Sequence, residues 1–276
     1  MDNKYELTYH TKVVEGHTLH RIKALKSFGD VKKDDLGGWI EDYSNLSQSD
    51  TAWVYDNAKV YKNAVVYGQA QIRGNAWVYN HTKVLDNAKV YGEACIYDHA
   101  RVLDNAKVGG NACVYDNAIV RGHAEIYDHA VVYGYAWVYD DAKVWGCASI
   151  SGHAHVYGDA RIYGNAKVHD DARVFDNAYV YNNAYIYNNA MVYGDAQVYG
   201  NAQLFGDAQV FDNAWVQGHA KVYDDAKVWG NVLVYDHAHV CGNAMIYGHT
   251  KVYNHTQVYG KDWVCSHIQP WDNDLE

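Results

Sequence analysis

The sequence predicts an all-β chain, wound as a single-stranded parallel β-helix of about twelve triangular 18-residue coils behind a small N-terminal β cap. Three observations carry that fold class. A six-residue unit, of which Ala76-Trp77-Val78-Tyr79-Asn80-His81 is representative, recurs through residues 52–267 without insertion or deletion, and a short fixed period decides the architecture before any other pattern does. Every sixth residue from Val54 to Val264 is Val, Ile or Leu in all 36 cases, and every sixth from Ala52 to Thr256 is Ala in 31 of 35. The single proline, Pro270, lies outside the repeat, as expected where nearly every backbone N–H is used in a ladder.

Each position of the unit has a structural reading. The Ala and aliphatic columns are two residues apart, so on a strand they point the same way, inward, while their neighbours point out. The residue after the outward aromatic is Gly in 18 of 36 units, Asp in 12 and Asn in 4, the types that best accept the positive φ of a sharp bend. The next is mostly Asn, Asp or His, which can hydrogen-bond the bend locally. Three such units close one triangular coil.

Residues 1–51 fall outside the pattern. Glu6-Leu7-Thr8-Tyr9, Lys12-Val13-Val14 and His17-Thr18-Leu19-His20-Arg21-Ile22 alternate as strands, with Glu15-Gly16 as a hairpin turn. Gly29, Gly37 and Gly38 mark tight backbone. This head reads as a cap over the first coil, whose apolar end and strand edge would otherwise be free. Residues 268–276 read as a short tail.

Composition narrows the function classes. A net charge of −10 argues against nucleic-acid binding, which needs a basic face. Met1-Asp2-Asn3-Lys4-Tyr5-Glu6 has no apolar signal core, and no 18-residue apolar run predicts a membrane span. Five cysteines form no secreted-scaffold spacing. The expectation is a cytoplasmic chain with reduced thiols and no cofactor.

The outward columns hold the candidate sites. The position after the aliphatic is aromatic in 26 of 36 units, and stepping by 18 sorts these rings into ladders: Tyr61, Tyr79, Tyr97, Tyr115, Tyr133; Tyr163, Tyr181, Tyr199; and Tyr139, Tyr157, Phe175, Tyr193, Phe211, Trp229, Tyr247. Stacking that stiffens the solenoid accounts for them at roughly 0.5–1.5 kcal/mol per pair. The functional reading is a binding platform comprising Trp137, Tyr139, Tyr157, Phe175, Tyr193 and Trp229. Corner carboxylates skip coils along one edge, as in Asp104, Gly122, Asp140, Gly158, Asp176 and Gly194. The spacing is expected to avoid like-charge stacking, with Asp86 over Asp104 and Asp98 over Asp116 as exceptions that a cation could bridge. His219, His237 and His255 form one column and are the metal candidates, although they lack an orienting carboxylate or carbonyl shell. Cys95 and Cys113 are neighbours one coil apart.

An aliphatic residue followed four later by a small one, as in Val54 and Ala58, resembles the hexapeptide left-handed β-helix, and the resemblance implies the left hand. Many such proteins are acyltransferases in which a loop excursion brings a catalytic histidine to a cleft between subunits. This repeat contains no excursion, leaving His155, His169 and His239 as the histidines to test as a base. Phe28-Gly29-Asp30-Val31, Gly37-Gly38-Trp39-Ile40, Asn45-Leu46-Ser47-Gln48 and Trp53-Val54-Tyr55-Asp56-Asn57-Ala58 together resemble the YdcK-like β-solenoid family of bacteria and their phages. That resemblance implies a transferase label with no catalytic residues to carry over. The leading expectation is therefore a non-catalytic scaffold or protein-binding module, phage-related, meeting a protein partner or a second copy through a flat aromatic face or through the C-terminal coil around residues 258–264. The alternatives are an acyltransferase with an intersubunit site and a polysaccharide-binding rod.

Overall fold

The computed structural model describes residues 3–261 and 263–265. It comprises two compact units, Met1–Tyr135 and Ala136–Glu276. The tail at 268–276, with Pro270, and His267 lie outside the described residues.

The first unit begins with the head. Strand β1 (Tyr5–Val14) pairs antiparallel with β2 (His17–Ala24), from Tyr5↔Ala24 to Val14↔His17. The two short strands expected before the hairpin are one strand, with an irregularity between Leu7 and Thr11 where Tyr9 stands fully exposed. Glu15 (φ 50°) and Gly16 (φ 84°) make the expected turn. Strand β2 then pairs antiparallel with β3 (Leu36–Ile40) through Arg21↔Trp39.

The head does not stop at the repeat; it becomes the repeat. Strand β3 pairs in parallel with the two-residue strand Lys59–Val60 through Trp39↔Lys59, and Leu46 bridges Val66 in parallel. Winding therefore starts before residue 52. Six-residue counting conceals this, because these first pairs are two residues further apart in sequence than Trp53↔Gln71 and all later ones. Gly37 and Gly38 are required where the head crosses the first coil. A Cβ on Gly37 would lie 2.6 Å from both Ile22 and Trp53, and one on Gly38 would lie 2.6 Å from Val54.

Within each unit the repeat is a β-solenoid of stacked parallel coils. Strands are two residues long and pair with the strand three further on, as in Lys59↔Trp77↔Cys95↔Cys113↔Val131 in the first unit. In the second unit one ladder runs Trp137↔His155↔Arg173↔Met191↔Gln209↔Lys227↔Met245↔Trp263. No helix forms among the described residues, and none is therefore long and apolar enough to cross a membrane.

The inward columns form the core as expected: the repeat's alanines are fully buried, and its Val, Ile and Leu column is so up to Val252. Where Thr replaces Ala, a buried hydroxyl needs a partner. Thr82 Oγ1 donates to the Tyr79 carbonyl at 2.8 Å, and Thr250 Oγ1 to that of Tyr247 at 2.7 Å.

All described corners, from Asp56 to Gly260, have positive φ, including the single lysine, Lys62 (φ 56°). The corner aspartates have a second role that charge spacing did not suggest. Asp56 Oδ2 accepts the N–H of Gly74 at 2.9 Å, Asp104 Oδ2 that of Gly122 at 3.0 Å, and Asp176 Oδ2 that of Gly194 at 3.2 Å. The bend turns this N–H out of the regular ladder, and the carboxylate one coil earlier satisfies it. Asn188 does the same for Gly206 at 3.3 Å. Even Asp86 over Asp104 is joined this way, at 3.2 Å, the backbone N–H of Asp104 donating to Asp86 Oδ2.

Candidate binding face

The second unit carries the candidate platform. In each coil the residues on either side of the buried aliphatic point outward together. On the ladder from Trp137 to Trp263 they place two columns side by side. One column is a continuous ring stack: Tyr139–Tyr157 at 4.9 Å, then Phe175, Tyr193 and Phe211 at 4.8 Å each, Trp229 at 5.6 Å and Tyr247 at 5.3 Å. The planes lie within 13° of parallel. Every ring of the stack is half-buried.

Five of the six expected residues, Tyr139, Tyr157, Phe175, Tyr193 and Trp229, belong to this stack. Trp137 stands beside it, edge-on to Tyr139 at 6.5 Å. Of the second column the six expected residues include only Trp137. Met191 and Met245 are half-buried in it, and Trp263 is 66% exposed and edge-on to Tyr247 at 6.0 Å. Stepping by 18 from Trp137 would have found all three. The corners bordering the stack carry Asp140, Asp176 and Asp212, so the ring stack has a carboxylate edge on one side and, on the other, a mixed column in which Arg173 and Lys227 stand among Trp137, Met191, Met245 and Trp263. Burial, ahead of any charge, pushes the Tyr157 and Tyr193 phenols above their ordinary range, so both stay neutral donors at physiological pH.

The histidines offer less. His155 stacks on Trp137 at 5.7 Å; burial, then Arg173 and His153, hold its pKa below the usual imidazole range. His239 lies edge-on to Tyr223 at 6.1 Å and is likewise lowered by burial, then Lys221, His237 and His255. His169 resembles an oriented base, with Nδ1 2.9 Å from Asp170 Oδ1. Its Nε2, however, is buried without a partner, and the ring lies against Tyr185 and Tyr187. His155 and His239 stand on separate ladders, so the three do not converge on one point. His219, His237 and His255 stack face to face at 4.9 and 5.0 Å, which spreads their nitrogens along the stack. Among the described residues no group of three or more His, Cys, Asp or Glu is placed to hold a metal ion.

Cys95 and Cys113 are in-register partners and free thiols. The hydrogen bond between them raises Cys95 and lowers Cys113 to about 7. A separate groove of about 460 Å³ in the second unit is lined by Asn165, Lys167, Asn183, Tyr185, Asn201 and Gln203.

No curated protein matches the chain. The chain is similar to the YdcK β-solenoid repeat over residues 184–200, about one coil of the second unit, which includes Met191 and Tyr193 of the candidate face.

Proposed function

We propose that this β-solenoid is a non-catalytic scaffold whose second unit binds a protein partner through the face built on Tyr139, Tyr157, Phe175, Tyr193, Phe211 and Trp229. The observation that carries this reading is the unbroken ring stack, beside a column in which Trp137, Met191, Met245 and Trp263 alternate with His155, Arg173, Gln209 and Lys227. Rigid aromatics and adaptable methionines are the side chains that dominate protein recognition. The carboxylate edge favours a partner whose apolar patch is bordered by lysine or arginine. Placement in a reducing compartment fits free thiols at all five cysteines. The exposed Tyr259 (68%) and Trp263 (66%) extend the reading to self-association at the C-terminal coil.

A photo-crosslinking residue at Met191, compared with one at Tyr97 in the first unit, tests the assignment in the native host. A discrete protein adduct from position 191 and none from position 97 is expected. Equal labelling from both positions would remove the basis for it.

One observation favours a second reading, a polysaccharide site. The groove containing Tyr185 also holds an amide ladder, in which Asn165 donates to Asn183 at 3.1 Å and Asn183 to Asn201 at 3.2 Å. Amide and phenol groups of this kind suit sugar hydroxyls. Retention on immobilised glycans that Tyr185→Ala abolishes would select this reading over the protein partner.

A further inference from the structure

One outward ladder of the first unit holds a pair of side chains that the proposed function leaves unused. It runs Lys59↔Trp77↔Cys95↔Cys113↔Val131. Cys95 and Cys113 stand in register on adjacent parallel strands, so both side chains project from the same outward face. Both residues are half-exposed, which leaves the pair open to a small ion from solvent. None of Cys147, Cys241 and Cys265 has a cysteine 18 residues away. The two thiols are already in contact. Cys95 donates its S–H to Cys113, and Cys113 donates its own to the Asn111 carbonyl, 3.8 Å from Sγ. Lys59 Nζ sits 4.2 Å over the ring centroid of Trp77, the residue between it and Cys95 on the ladder, and its charge acts on the Cys95 sulfur.

Two chemistries use paired thiols, a disulfide and a bridging soft metal ion, and the strand spacing separates them. Neighbouring strands lie roughly 4.8 Å apart. A disulfide draws the two Cβ atoms to about 3.8 Å. The ladder opposes that movement, because Cys95 N–H is bonded to the Ala112 carbonyl at 2.9 Å and Cys113 N–H to the Ala130 carbonyl at 3.0 Å. A cation bridging two thiolates in line holds the sulfurs apart by two bonds of roughly 2.3 Å each, about 4.6 Å in total. The ladder supplies that separation without moving the backbone. The neighbours then limit the coordination number. Trp77 and Val131 flank the pair on its ladder, and the column beside it is the ring stack of Tyr97 on Tyr115 at 4.8 Å. No third His, Cys, Asp or Glu joins the two thiols among the described residues, whereas a zinc site needs four ligands. Two thiolates alone suit a soft monovalent ion that accepts two ligands, such as Cu(I).

We infer that Cys95 and Cys113 form a two-coordinate binding site for Cu(I). The ion replaces the proton between the sulfurs. Two S–H bonds break, two sulfur–copper bonds form, and both protons leave to solvent with no change in oxidation state. The bis-thiolate complex carries one negative charge, which the Lys59 ammonium offsets. The site lies in the first unit and is independent of the protein-binding face.

The test titrates reduced full-length protein with Cu(I), without oxygen, against a chromophoric Cu(I) chelator. One tightly bound ion per chain is expected, and X-ray absorption at the copper edge should show two sulfur neighbours. Cys95→Ser and Cys113→Ser should each weaken binding roughly 10²–10⁴-fold, because each removes one arm of a two-point attachment. Lys59→Gln should weaken it less than either, and Cys147→Ser, at an exposed position, should leave it unchanged. Both thiols occupy outward positions, so the serine variants should fold, which circular dichroism checks; Cys95→Ala and Cys113→Ala repeat the measurement if either does not. Equal affinity in a folded Cys113 variant, three or more sulfur neighbours, or tighter binding of Zn(II) than of Cu(I) would overturn the assignment. So would a reduced chain that takes up no Cu(I) but gives a Cys95–Cys113 disulfide and two waters with hydrogen peroxide, which would make the pair a redox couple instead.

Discussion

The head of the first unit and the repeat of the second are stabilised in opposite ways. In the head each polar contact is a single arrangement with no counterpart one coil later. Asn45, fully buried, accepts the N–H groups of Glu41 and Asp42 and donates to the carbonyls of Lys62 and Ala64. Lys4 Nζ, also buried, donates to the Ala52 carbonyl at 2.8 Å, and Tyr5 Oη to that of Leu46 at 2.7 Å. In the second unit the ladder pairs and most ring stacks recur coil after coil, so no single one is indispensable. Breaking this comparison means substituting one residue of each kind and comparing the losses.

The largest effect is expected at Asn45. Asn45→Ala leaves the Asp42 N–H and two carbonyls without their partner, while the Glu41 N–H keeps the Val60 carbonyl, at a cost of about 3 kcal/mol. The denaturation midpoint of the first unit should fall accordingly, and a loss under about 1 kcal/mol would mean that water replaces the side chain.

Alkaline pH should act on the ring ladders as a group. Burial, as the leading cause, holds Tyr79 and Tyr181 at about 12 when folded, against an ordinary value of 10.0 in the same groups. A phenol whose folded pKa is raised contributes stability that is complete below the unfolded pKa and is lost as pH rises through the folded one. Unfolding by denaturant should therefore become easier between pH 10 and about 12. Phenolate absorbance should also appear later in the native chain than in the denatured one; coincident titrations would contradict buried ladders.

Substitutions in the repeat should cost less. Phe175 stacks at 4.8 Å on both Tyr157 and Tyr193, so Phe175→Ala should cost about 1–3 kcal/mol. Tyr97→Ala, between Tyr79 and Tyr115, should cost a similar amount in the first unit. The smallest effect belongs to a corner. Asp176→Ala frees the Gly194 N–H for about 1 kcal/mol, whereas Asp176→Asn should be close to neutral because Asn188 already bonds a corner N–H. Equal losses for Ala and Asn would show that charge, not the hydrogen bond, matters at the corner.

The periodic parts of the fold were legible because their cause is local and repeated. Val at every sixth position and Gly, Asp or Asn two residues on leave a strand and a bend as the fitting conformations. The start of winding at Trp39 was not legible, because the first pairs, Trp39↔Lys59 and Leu46↔Val66, are spaced two residues wider than the repeat. The ring stack could be read by counting, yet Met191, Met245 and Trp263 were passed over because their column varies in residue type. The corner carboxylates were seen as charges. Their bonds to N–H groups 18 residues on depend on backbone direction at the bend, which composition does not encode.

The most direct test of the central claim, that the second unit's aromatic face recognises a protein, is paired affinity capture from the native host. One bait is the unmodified chain, a second carries Phe175→Lys and Trp229→Lys, and a third carries Tyr97→Lys and Tyr115→Lys in the first unit. The account predicts a stoichiometric partner retained by the first and third baits and lost from the second, with all three baits folded by circular dichroism. Retention of the same partner by the second bait would contradict it.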